Sequence, residues 1–238
     1  MLKYKIYKKN FKEAFFDINK YYQKEGYGIV NFIYFASLIS NNLHKENNIN
    51  KKYLNTLFTS NFLLPDGIAL QKYFQKKYKI SLNNINGTDF LPYFLQNIDK
   101  KNTQIYIYGS DQETLMKCKN KIENDFGIQV FYYKNGYEKL NAKNIKIGNK
   151  KNKILLVGRG TPLQENRIYE NRKYLIKKGF LTFGVGGLIG FLGGSEKRAP
   201  KIIRKIKLEW AYRFLQNPKK NRKKVYYSLY ILKYIFYK

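Results

Sequence analysis

The chain has 238 residues and a formal net charge of +30; with 44% hydrophobic and 17% aromatic residues it can bury a sizeable core, which excludes global disorder. A single cysteine, Cys118, excludes an internal disulfide, and a single histidine, His44, excludes a His/Cys zinc site. No stretch reaches the roughly 18–20 uncharged apolar residues that span a bilayer.

The opening "MLKYKIYKKNFKEAFFDINKYY" is charged every few residues and has no apolar h-region, so a cytosolic protein is expected. Its residues 11–24 have helical period. "YGIVNFIYF" (27–35) reads as a strand, and His44 in "NNLHKENN" as solvated loop. A helix over 51–59 leads to the strand "NFLLPDG" (61–67) and a helix over 68–78. "NGTDF" places Thr88 and Asp89 in the first turn of a helix over 88–98. The strands "QIYIYGS" (104–110) and "IQVFYY" (128–133) flank a helix over 111–126, in which Cys118 is a bystander. The lysine-rich residues 139–153 read as a solvated connection. "ILLVGRG" (154–160), a helix over 162–177 and "FLTFGVGG" (180–187) follow. After residue 196 the strand pattern stops, and two helical segments break near Pro218.

This alternation predicts an α/β fold: a largely parallel, Rossmann-like sheet flanked by helices. Residues 1–195 are expected to form the catalytic domain and 196–238 a basic, aromatic helical appendage. Residues 196–238 carry 14 Lys/Arg against 2 Asp/Glu, a denser charge than the rest of the chain. Phosphate-bearing lipid, an anionic membrane surface and nucleic acid all fit such a charge.

Ligands of parallel sheets bind at the carboxyl ends of strands, where glycine admits a backbone and helix N-termini offer free N–H groups. Three ends stand out: "LPDG", "VGRGTP" and "GVGGLIGFLGG". Asp66, at the tip of an apolar strand before Gly67, is either a general base or a turn or N-cap aspartate. Gln164 and Glu165 lie in the first turn of a helix, where they either cap it or bind sugar and phosphate. Residues 184–194 contain six glycines, Gly186 and Gly187 among them, which suits a backbone-lined pocket. With no DxD and no metal-ligand spacing, a diphosphate leaving group would be met by backbone N–H groups and by Arg198, Arg204, Arg213 and Arg222.

"LLPDGIAL", "NGTDF", "VGRGTPLQENRIYENR", "FGVGGLIGFLGG", "KRAP" and "LEWAYRFLQNPKKNRK", in this order and spacing, resemble the WecG/TagA/CpsF glycosyltransferases across nearly the whole chain. The resemblance implies a metal-independent, inverting transferase at the inner face of the cell membrane. It would move an N-acetylmannosamine-type sugar from a UDP-sugar donor to a polyprenyl-diphosphate-linked sugar, for surface polysaccharide such as teichoic acid or capsule. No cofactor and no nucleic acid are expected. By position the resemblance makes Asp66 the base, places Asn31 and Gln164 in the pocket, and brings Arg213 toward the diphosphate. The turn at Gly158 and Gly160 would cradle pyrophosphate. Three departures stand out: Gly190 replaces the family's aspartate, Lys207 replaces a glycine, and Asn84 or a neighbour replaces an arginine. The Gly190 change is expected to bear on donor recognition. An inactive relative that binds lipid-linked sugar and a basic nucleic-acid binder are the rival readings.

Overall fold

The computed structural model describes residues 2–45, 47–200, 202–203 and 209–236. Along the chain run α1 (Leu2–Lys5), α2 (Phe11–Glu25), β1 (Gly28–Tyr34), α3 (Phe35–Ser40), α4 (Lys51–Phe58), β2 (Phe62–Asp66), α5 (Ile68–Tyr78) and α6 (Gly87–Asn97). Next come β3 (Thr103–Gly109), α7 (Gln112–Phe126), β4 (Val130–Lys134), β5 (Asn152–Gly158), α8 (Leu163–Lys177), β6 (Phe180–Gly184) and α9 (Leu188–Leu192). The appendage holds α10 (Glu209–Gln216), α11 (Pro218–Leu229) and α12 (Ile231–Phe236).

The six strands form one all-parallel sheet in the order β2-β1-β6-β5-β3-β4. Helices cover both faces, so β3 is buried along its whole length, as a two-sided parallel strand requires. On one face Ile18, Phe94, Leu115 and Ile122 pack with Val30, Ile105, Ile154 and Leu181. On the other, Ile168 and Leu175 of α8 cover Ile29, Leu155 and Val157.

Local chemistry sets the helix ends. Asn10 opens α2 with a capping box: its Oδ1 accepts from the Glu13 N–H (3.0 Å), and its own N–H donates to Glu13 Oε2 (2.9 Å). Asp111 caps α7 through the Thr114 N–H (2.8 Å). Pro218 begins α11, where its missing N–H costs nothing.

Four expectations change. The sheet ends sooner than the apolar runs suggest, with β5 stopping at Gly158 and β6 at Gly184, because the glycines beyond turn the chain. Residues 139–153 are pinned and not merely solvated, since Leu140, Ala142 and Ile145 are buried against Tyr108 and Leu155. His44 is half-buried, its ring 5.6 Å from that of Tyr230, and burial lowers its pKa. The appendage has a second break, at Tyr230, between α11 and α12. Its Tyr227, Tyr230, Ile231 and Tyr234 pack on the cluster of Ile33, Phe35, Leu70 and Tyr73. Cys118 is the bystander expected: burial pushes its thiol up to about 12.

Candidate active site

The carboxyl edge of the sheet carries the candidate residues. The chain leaves β5 toward β6 and leaves β3 toward β4, in opposite directions, which opens a crevice between β3 and β5. There Gly109 pairs with Gly158. A Cβ on Gly109 would strike the Gly158 carbonyl, so the two strands end in direct backbone contact. Further along the edge Gly67, Gly160 and Gly186 have φ values of 89°, 70° and 55°, and a Cβ on any of them would meet nothing within 4 Å. These turns therefore present backbone to open space.

Asn31 sits on β1 between Ile29 and Ile33, facing the same side of the sheet, and is buried. Its Nδ2 donates to Ser60 Oγ (2.9 Å), while its Oδ1 has no protein partner. Opposite it in register is Gly184. A side chain at Gly184 would collide with Asn31 Oδ1 and lie 3.3 Å from Gln164 Nε2, so glycine lets these two amides approach across β6.

Gln164 is buried in the first turn of α8. Its Oε1 accepts from the Gly186 N–H (2.9 Å), and its Nε2 donates to Glu165 Oε1 (3.0 Å). The same Glu165 oxygen accepts from Thr161 Oγ1 (2.8 Å). Glu165 is fully buried, and desolvation lifts its pKa from 4.5 to about 7 against those hydrogen bonds. Tyr34 lies close by at the end of β1; burial first, then the Glu165 and Asp66 carboxylates, push it up to about 12. Tyr53 of α4 is raised mainly by burial and next by Glu165.

Asp66 is the last residue of β2, half-buried, and level with Tyr34 across the strand pair. The residue at the N-cap of α5 is Gly67, whose N–H donates to Asn84 Oδ1 (2.7 Å), so Asp66 is not the cap. Asp89 lies in the first turn of α6 as expected, behind the Asn86 cap, and accepts from Arg198 Nη2. Arg198, expected to face the diphosphate, is thus held at the first turn of α6, donating also to Thr88 Oγ1 (3.3 Å). Arg222 is exposed on α11, which packs on α3 just past the end of β1. The Arg213 side chain and the whole of Arg204 lie outside the described residues.

Gly187 caps α9, and Gly190 is buried within it. A Cβ at Gly190 would lie 3.2 Å from both Glu196 Cγ and Ser195 Oγ, so these side chains fill the place where the resemblance has an aspartate. Among the described residues no group of His, Cys, Asp and Glu could hold a metal ion. The residues that pattern alone underrates are Glu165, Tyr34, Tyr53 and Ser60. The sequence signal is weak: a glutamate at a helix start reads as a cap, and tyrosines are common throughout the chain.

The chain is similar to two enzymes, each named N-acetylglucosaminyldiphosphoundecaprenol N-acetyl-beta-D-mannosaminyltransferase. The one from Bacillus subtilis (strain 168) is 31% identical over 172 residues, 71% of this chain and 66% of the relative. The one from Bacillus spizizenii (strain W23) is 30% identical over 176 residues, 73% of this chain and 68% of the relative. The match thus spans about two thirds of the length of these relatives. The description "Glycosyl transferase WecG/TagA/CpsF family" fits residues 1–238, and the chain belongs to that family.

Proposed function

We propose that this chain is an inverting, metal-independent hexosyltransferase. It moves an N-acetylmannosamine-type sugar from a UDP-sugar to a sugar carried on polyprenyl diphosphate, in the synthesis of a surface polysaccharide. The observation that carries this reading is the carboxyl edge itself: Asp66 ends β2 on the same edge where Gln164 bridges to the Gly186 N–H. The names of the two relatives supply the sugar and the acceptor class.

In such a transfer Asp66 takes the proton of the acceptor hydroxyl. The oxygen then forms a bond to C1 of the donor sugar as the C1–O bond to UDP breaks on the opposite face. Gln164 and Asn31 orient the sugar, and the turns at Gly67, Gly158, Gly160, Gly186 and Gly187 offer backbone to the phosphates. Arginines of the appendage, Arg213 and Arg222, with Arg198 at α6, offset the charge of the departing diphosphate.

No helix among the described residues is long and apolar enough to cross a membrane. The proposed contact with the inner face of the cell membrane runs through α10–α12, where Leu215, Tyr226, Leu229 and Leu232 are exposed, as are Lys219, Arg222 and Lys223. The test is UDP release from a panel of UDP-sugars, with and without a GlcNAc-diphospho-lipid acceptor. Release from one donor that requires the acceptor supports the reading. Acceptor binding without turnover, or retention of RNA or DNA with no release, overturns it.

A further inference from the structure

Among the described residues, Glu165 is the only acidic or basic side chain that is buried. Its Oε1 takes two donors, Thr161 Oγ1 at 2.8 Å and Gln164 Nε2 at 3.0 Å, whereas its Oε2 takes none. Oε2 is thus buried with nothing to offset a negative charge, and burial favours the neutral acid, which accepts from both donors through Oε1.

The surroundings agree. From α4 the facing group is Tyr53, while Lys52 of the same helix is engaged by Glu170 (3.4 Å). From β1 it is Tyr34. β6 has no ionisable residue, and β5 has only Lys153, near its amino end. In the short turn Ala142–Asn144, Lys143 is exposed. On α8 itself Arg167 pairs with Glu170 (2.9 Å). None of these cations makes an ion pair with Glu165.

The consequence falls on Gln164. A free carboxamide turns over easily, exchanging its oxygen and nitrogen. With Nε2 held by Glu165, the oxygen of Gln164 is fixed on the Gly186 N–H. We propose that Glu165 is a positioning residue for sugar transfer: by holding Gln164 Nε2 and Thr161 Oγ1 on one oxygen, it locks the Gln164 amide and ties the β5–α8 turn to the β6–α9 turn. Its role needs an acceptor oxygen and not a negative charge. The inference rests on the reading of this edge as a transfer site.

The test compares wild type with Glu165→Met, which keeps the bulk and removes the acceptor, and Glu165→Gln, which keeps both. Gln164→Ala assigns the Gln164 side-chain N–H₂ signals in a ¹⁵N–¹H spectrum by their loss. In Glu165→Met those signals shift and exchange faster with solvent, and kcat falls about 10²-fold, as for a group displaced by an ångström, with donor KM little changed. Glu165→Gln restores both the spectrum and kcat. Unmoved Gln164 signals in folded Glu165→Met overturn the proposal. So does a Glu165→Gln protein whose Gln164 signals move and whose kcat is lost, which stays informative even where Glu165→Met does not fold. If wild type turns over no UDP-sugar, the transfer reading fails, and the spectra alone decide whether Glu165 holds Gln164.

Discussion

Replacing Glu165 with glutamine changes how stability depends on pH, and the size of the change follows from burial. The carboxyl group titrates near 4.5 in an unfolded chain and at about 7 in the fold, because desolvation disfavours its charge. A pKa raised by folding means that the native state holds the proton more tightly. The stabilisation is full below pH 4.5, declines as pH rises from there, and is gone above about 7. At about 1.4 kcal/mol per unit, the whole span is worth about 3 kcal/mol. Most of it, about 2 to 3 kcal/mol, falls between pH 5 and 8. Glutamine matches the shape and the acceptor oxygen but does not titrate. Urea unfolding followed by far-UV circular dichroism, at steps from pH 5 to 8.5, gives the difference between variant and wild type. Subtraction matters because Asp111, Glu123 and Glu170 are all lowered in the fold and tilt both curves the other way at acid pH. The variant should gain on wild type by about 2 to 3 kcal/mol over this range. A difference that stays flat with pH would refute the account of Glu165 as a buried neutral acid.

Other outcomes follow from the same geometry. Asp66→Asn should cut transfer by about 10²- to 10⁴-fold with circular dichroism unchanged, and wild-type turnover would remove Asp66 as the base. Transfer should survive EDTA; loss on chelation with recovery on added Mg²⁺ or Mn²⁺ would overturn the metal-independent reading. Gly184→Ala pushes a methyl group into Asn31 Oδ1 and toward Gln164 Nε2, and should lower both kcat and the melting temperature. Truncation after Gln216 should reduce salt-sensitive binding to anionic vesicles and also destabilise the core, since it removes Tyr234, whose ring lies 4.8 Å from that of Tyr73. A truncated protein that binds vesicles and unfolds like the full chain would refute both roles of the appendage.

The strands are legible in the sequence because each is a short apolar run, most of them closed by glycine or by Asp-Gly, and the βα alternation admits little but a parallel sheet. The helix α3 is not legible: Phe35, Ala36, Ser37, Leu38 and Ile39 are all buried, so it has no polar face to give a helical period. Asp66, Gly67 and Gly186 can be placed at strand ends from pattern alone. The pairing of Asn31 with Gly184 cannot, since it depends on the register between strands far apart in sequence. Glu165 is hidden for the same reason. Its burial comes from α4 and β1 packing over the start of α8, and nothing adjacent in the chain announces that.

The packing of the appendage also limits how it could hold a lipid surface. Tyr227, Tyr230, Ile231 and Tyr234 are already spent on the globular core, which leaves Leu215, Tyr226, Leu229 and Leu232 facing outward. On the proposed reading, a handful of shallowly inserted side chains combine with a lysine row worth about 1 kcal/mol per charge near an anionic surface. That is a reversible grip, sensitive to salt and to lipid composition. The inner tyrosines cannot enter the bilayer without stripping cover from Phe35 and Tyr73. On that reading, attachment and release leave the fold unchanged, and residence time at the membrane would be a property of the lipid as much as of the protein.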